Sequence, residues 1–206
     1  MEKNAWGSYS DQNGSHAYIT KTDGTGFIDL TPQGGKNSNI SGFSPDGKIV
    51  WGYYNPADGY SSYFFYKTDG TGFINLSPQG STSFAINGIT PDGNKACGYF
   101  SDQKGYHIFF TNTDGTGFVD LTPQGSTSPS ISQLTPDGKT ALGSFYDQSG
   151  KYHSFITKTD GTGFVDITQR VPANINIGGI SPDGKIAWGS YSGQNGQRAF
   201  IIKGLT

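Results

Sequence analysis

The chain has 206 residues with 33% hydrophobic and 14% aromatic residues and a formal charge of −2. Its 14 basic residues are spread along the sequence, which excludes the electrostatic footprint of a nucleic-acid or anionic-membrane binder. One glutamate and six leucines against 32 glycines leave few strong helix formers, so an α or α/β fold is excluded and an all-β fold is expected.

No apolar run approaches the roughly 18 residues of a membrane-spanning helix. The opening MEKNAWGSYS does not read as a signal peptide, and the single Cys97 precludes an internal disulfide.

Read from the N-terminus, second, third and fourth strands of a repeating unit are predicted over 5–31. Three complete four-stranded units follow, and the chain closes with a first strand at 176–181 and a hairpin over 185–203. The unit is set by two signatures. Thr-Asp-Gly-Thr-Gly-Phe begins at Thr22, Thr68, Thr113 and Thr159, and Ser/Thr-Pro-Asp-Gly places its proline at Pro45, Pro91, Pro136 and Pro182. Both series step by 46, 45 and 46 residues, a period that marks a propeller or a related array.

Within the third unit, strands are predicted at 85–90, 95–100, 106–111 and 118–122, separated by Pro91-Asp92-Gly93, a loop through Asp102 and Gly105, and Asp114-Gly115. Proline pre-sets the φ of a turn and glycine supplies positive φ, so each boundary has a cause. The third strands at 63–66 and 108–111 are apolar on successive residues, as a sheet buried on both faces requires. Phe27, Phe73, Phe118 and Phe164 open the fourth strands and are expected to pack between sheets. Gly7, Gly52, Gly98, Gly143 and Gly189 sit mid-strand, where a bulge or a close approach is expected. The whole of 1–206 reads as one all-β propeller domain of about five four-stranded antiparallel blades, the terminal two incomplete. Four blades with a surplus C-terminal hairpin is the alternative.

The segments SNISGFSPDGKIVWGYY (38–54) and YFFYKTDGTGFINLS (63–77) resemble the WD40-like PD40 repeat of TolB-type propellers. HAYITKTDGTGFIDLTPQGG (16–35) is similar to the HAF extracellular repeat, at His16-Ala17-Tyr18 and, more loosely, at His107, His153 and Arg198-Ala199-Phe200. The resemblance implies a binding platform in an extracellular or periplasmic setting.

Repeated slots account for every aspartate. Eight lie in the two turn signatures, Asp29, Asp120 and Asp166 share a fourth-strand slot, and Asp11, Asp58, Asp102 and Asp147 fall between strands two and three. His16, His107 and His153 share one position on different blades, so no convergent catalytic or metal constellation is expected. The chain is therefore read as not an enzyme, with no cofactor and no metal. Short Asp-x-x-Gly loops lack EF-hand spacing and read as turns.

The rim that carries the loops between strands two and three, and between blades, is the variable one (34–39, 80–85, 125–130, 169–176), and function is expected there. Candidate ligand-binding residues are Tyr60, Tyr106 and Tyr152 for stacking, and Gln33, Gln79 and Gln124 of a repeated Pro-Gln-Gly. Trp6, Trp51 and Trp188 share a slot with Cys97 and Leu142 and are assigned to inter-blade core. The expected partner is a protein, with a multivalent carbohydrate-binding propeller as the alternative. Self-association through unpaired terminal strands is a further expectation.

Overall fold

A computed structural model describes residues 4–56, 60–78, 80–171, 175–193 and 196–205. They form five antiparallel sheets in chain order. The first holds β1 (Asn4–Asp11), β2 (Gly14–Lys21) and β3 (Ile28–Asp29), and the second β4 (Gly35–Phe43), β5 (Ile49–Pro56), β6 (Ser62–Lys67) and β7 (Ile74–Asn75). The third holds β8 (Ser83–Ile89), β9 (Lys95–Asp102), β10 (Gly105–Asn112) and β11 (Val119–Asp120). The fourth holds β12 (Thr127–Leu134), β13 (Thr140–Tyr146), β14 (Tyr152–Lys158) and β15 (Val165–Asp166), followed by a short 3-10 helix at Ile167–Arg170. The fifth holds β16 (Ile175–Ile180), β17 (Ile186–Gly193) and β18 (Gly196–Lys203).

Blades of three, four, four, four and three strands are thus formed, as the repeat predicts. The four-bladed alternative is not: β16 pairs with β17, Ile177 opposite Gly189, and β17 in turn with β18.

Turn chemistry fixes the hairpins on one rim. In the Ser-Pro-Asp-Gly turn, Asp46 Oδ1 accepts from the Ser44 hydroxyl at 2.6 Å and the Lys48 N–H at 3.1 Å, while Gly47 sits at φ +71°. In the Thr-Asp-Gly-Thr-Gly turn, Asp114 Oδ1 accepts from the Thr116 N–H at 2.9 Å and its hydroxyl at 2.6 Å. Thr113 Oγ1 then donates to the Gly93 carbonyl at 2.9 Å, joining the two turns of one sheet. Each aspartate bonds the backbone two residues on, which is why the signature tolerates so little change.

Consecutive sheets are glued by four hydrophobic clusters. Leu30 and Ile19 of the first sheet meet Ile40 and Val50 of the second, and Phe65 and Leu76 meet Phe84 and Phe109 of the third. Phe110 and Leu121 meet Phe145 and Phe155 of the fourth, and Ile156 and Ile167 meet Ile180 and Ala187 of the fifth. Phe64, Phe65, Phe109, Phe110 and Phe155 are fully buried, each contributing about 1.5–3 kcal/mol only while its neighbour sheet is in place.

The mid-strand glycines answer to bulges. A Cβ on Gly98 would lie 1.9 Å from the Ala85 carbonyl, and one on Gly52 2.0 Å from that of Asn39, opposite the register shift of the first strand.

Three expectations fail. The fourth strands pair over only two residues, and Phe27, Phe73, Phe118 and Phe164 are 41–57% exposed instead of packed between sheets. Gly115 and Gly117, both at positive φ, hold the incoming segment off the sheet until Val119, so Phe118 lies against Phe109 at the molecule's periphery, ring centroids 5.0 Å apart. In the tryptophan slot, Trp51 packs on the core as Cys97 and Leu142 do, whereas Trp6 and Trp188 are largely exposed.

Candidate functional site

The three histidines do not converge with one another, but each converges with two aspartates of its own sheet. His107 leaves β10 beside the β9–β10 hairpin. Its Nε2 lies 3.1 Å from Asp102 Oδ1 at the hairpin's start, and its Nδ1 lies 2.9 Å from Asp120 Oδ2 on the outer strand β11. His153 repeats this, with Nε2 3.2 Å from Asp147 Oδ2 and Nδ1 2.8 Å from Asp166 Oδ2. Each ring stacks on an aromatic of the second strand: Phe100 under His107 at 4.6 Å and Phe145 under His153 at 4.8 Å.

In the first sheet Tyr9 stacks on His16, and Asp11 Oδ1 meets Nε2 at 3.0 Å. There the Tyr9 hydroxyl donates to Asp29 Oδ2 at 2.8 Å, and Asp29 stands 3.5 Å from Nδ1, which is left without a hydrogen bond.

These are clamps that tie the hairpin on the variable rim to the outermost strand. The slot behaves as a unit within the chain. In the second sheet Ser62 stands where the histidine does and Asn75 where its outer carboxylate does, while Asp58, the aspartate read for that hairpin, lies outside the described residues; in the fifth, Arg198 faces Tyr191 in a hairpin with Gly193 in place of aspartate. In the third and fourth sheets each ring nitrogen lies within hydrogen-bonding distance of a carboxylate of its own sheet. Among the described residues, no group of three or more metal-ligating side chains is placed to share an ion.

The hairpin carboxylates are held well below the usual range. For Asp102 the Lys104 backbone N–H is the main cause, and for Asp147 it is the Ser149 hydroxyl, followed by the Lys151 N–H.

A cleft of about 520 Å³ opens between the third and fourth sheets at this rim. Asp120, Asp147, His153, Asp166 and Phe164 line it, with Gln124 on the connecting segment. Gln169 joins them, its amide donating to Asp166 Oδ2 at 3.2 Å, and the Thr168 hydroxyl also bonds Asp166. A similar cleft of about 560 Å³ lies at the second sheet, lined among the described residues by Tyr54, Tyr60, Ser62 and Asn75.

Of the candidates read from sequence, Gln124 thus lines the first cleft and Tyr60, 67% exposed, the second. Tyr106 and Tyr152 are exposed but line neither; they pack against Tyr99 and Tyr146, ring centroids 5.0 and 5.5 Å apart. Gln33 is exposed at its turn, and Gln79 lies outside the described residues. The aspartates and histidines of the clamps were the residues sequence reasoning set aside.

No protein-family model matches the chain, and no curated protein does. Solved structures do. A putative TolB from Agrobacterium tumefaciens matches at 15% identity and TM-score 0.51, over 98% of this chain and 77% of that one. TolB from Acinetobacter baumannii matches at 16% identity and TM-score 0.47, over 100% of this chain and 51% of that one. A structure from a study of two prolyl endopeptidases matches at 14% identity and TM-score 0.54, over 97% of this chain and 33% of that one.

The likeness supports a TolB-type, WD40-like propeller fold; the HAF half of the resemblance finds no match. The endopeptidase match also corrects the reading of the chain as not an enzyme. This fold forms part of an endopeptidase chain, so repeated slots on a propeller leave enzymatic status open.

Proposed function

We propose that residues 1–206 act as one propeller domain that binds a protein partner on the rim carrying the hairpins and inter-sheet connections. One observation carries the reading: three sheets spend a partly buried histidine and two aspartates on fixing that rim's hairpins, while the segments beside them differ from repeat to repeat. A rigid base under variable loops is how binding surfaces are built on repeat scaffolds. The cleft at Gln124, His153 and Phe164 is the centre of the surface, its half-exposed ring and amide set among carboxylates. A partner presenting an apolar side chain beside a basic one suits it. The TolB-type resemblance also argues for a periplasmic or extracellular setting. No observation favours the carbohydrate alternative, since Tyr106 and Tyr152 do not line the cleft that Gln124 lines.

Site-specific photo-crosslinking tests the reading. A photoreactive residue at Gln124 is expected to trap a discrete partner, and one at Lys139 on the opposite rim is not. Equal capture at both positions, or capture at Lys139 alone, overturns it.

A further inference from the structure

On the rim opposite the clamps, one strand position decides how the seam between neighbouring sheets is closed. Ile49 holds it in the second sheet, opposite Lys67, and Ile186 in the fifth, opposite Lys203. Ile49 packs onto the cluster of Phe65, Phe84 and Phe109 between the second and third sheets. In the third and fourth sheets the same register position carries Lys95, opposite Asn112, and the buried Thr140, opposite Lys158. Polar side chains thus take the place of an apolar seal at the next two seams.

A cleft of about 480 Å³ opens there. Lys95, Lys139 and Lys158 line it with Asp137, Asp160 and Asp183, and the rest of its lining among the described residues is threonine. Lys95 is half-buried, and its ammonium donates to the Thr159 hydroxyl of the next sheet at 3.1 Å. That hydroxyl itself donates to the Gly138 carbonyl at 2.9 Å, so the half-buried charge meets a neutral acceptor.

The charges of the cleft do not neutralise one another. In the second sheet Lys48 pairs with Asp46 Oδ2 at 3.4 Å. Lys139, at the same place in its own turn, forms no ion pair among the described residues, and neither do Lys95 and Lys158. The aspartates commit Oδ1 to their turns. Asp137 accepts from the Thr135 hydroxyl at 2.7 Å and the Lys139 N–H at 3.0 Å, Asp160 from the Thr162 N–H at 2.9 Å, and Asp183 from the Lys185 N–H at 3.1 Å. Their Oδ2 atoms accept no hydrogen bond among the described residues. Ammonium donors and carboxylate acceptors in equal number therefore surround one cleft.

We propose that this cleft binds a small polar zwitterion, its carboxylate taken by Lys95 and Lys158 and its ammonium by the Oδ2 atoms of the aspartates. A half-buried ammonium that faces only a hydroxyl gains most from an incoming anion. A lining of equal and opposite charge in turn disfavours a ligand that brings one sign alone. The volume lies within the range of small-molecule sites. The proposal is independent of the partner reading, because it uses the opposite rim and none of the clamp residues, and a small molecule does not register as a protein captured at Lys139.

The test is a titration of triglycine into the isotope-labelled chain, followed by backbone amide chemical shifts. Saturable shifts are expected at Lys95, Thr140 and Thr159. Binding should weaken by at least about tenfold for N-acetyl-triglycine, which keeps only the carboxylate, and for triglycinamide, which keeps only the ammonium. Lys95→Ile installs the residue that the second and fifth sheets carry, and Lys158→Asn the one that stands at Asn112, so both variants retain the fold, as thermal melting checks. Each should also weaken triglycine binding by at least about tenfold. Absence of saturable shifts at these amides overturns the proposal, as does equal binding by either blocked peptide or by either variant.

Discussion

Asp166 Oδ2 stands 2.8 Å from Nδ1 of His153, thirteen residues before it in the chain. The contact joins the outermost strand of the fourth sheet to the hairpin on the variable rim, with Asp147 closing the other side of the ring.

Removing the ring is expected to cost more than a surface substitution. His153→Ala leaves Asp147 and Asp166 facing a void and deprives Phe145 of its stacked partner, so a loss of about 2–3 kcal/mol is predicted from urea unfolding midpoints. Gln33→Ala, on an exposed turn of the same rim, should stay within about 0.5 kcal/mol.

The bulge glycines separate two kinds of position. Gly98→Ala drives a Cβ into the Ala85 carbonyl and should destabilise by at least about 2–3 kcal/mol or prevent folding. Gly88→Ala meets nothing within 4 Å and should be nearly neutral. Thermal melting of the pair checks the contrast.

Acid should weaken the fold. Carboxylates such as Asp46, Asp92, Asp102, Asp114 and Asp147 are depressed by hydrogen bonds to turn hydroxyls and N–H groups. A depressed carboxylate contributes stability that is present above its unfolded value and lost as pH falls through its folded one. The unfolding midpoint is therefore expected to hold near neutrality and to decline steadily below about pH 4. A midpoint that rises on acidification contradicts this.

Burial pushes the Cys97 thiol up to about 11. Native protein at pH 8 should react with a thiol reagent only through opening of the third and fourth sheets, whereas denatured protein reacts at once. Rapid labelling of the native chain would refute the packing between Phe110 and Phe155.

Much of the fold was legible because turn chemistry is local. Pro-Asp-Gly and Asp-Gly-Thr-Gly mark every hairpin of one rim, and the glycine opposite each bulge marks the second strands. The outer strands were read too long because Phe118 looks like a strand residue; the two positive-φ glycines before it decide otherwise. The clamps were missed for a different reason. Comparing repeats places His16, His107 and His153 apart, yet Asp102, five residues before His107, and Asp120, thirteen after it, already recur with their histidine. That spacing within one unit was the signal. The unpaired edge of the C-terminal hairpin was read from the strand count, whereas which residues of β18 face outward could not be, since that is defined by a register.

Hydrogen exchange of the β9–β10 and β13–β14 hairpins in a His107→Ala/His153→Ala variant tests most directly whether the clamps hold the variable rim in shape. The account predicts that amides around Asp102–Gly105 and Asp147–Gly150 lose protection while the Pro-Asp-Gly turns of the opposite rim keep theirs. Equal loss on both rims, or no loss at the hairpins, would contradict it.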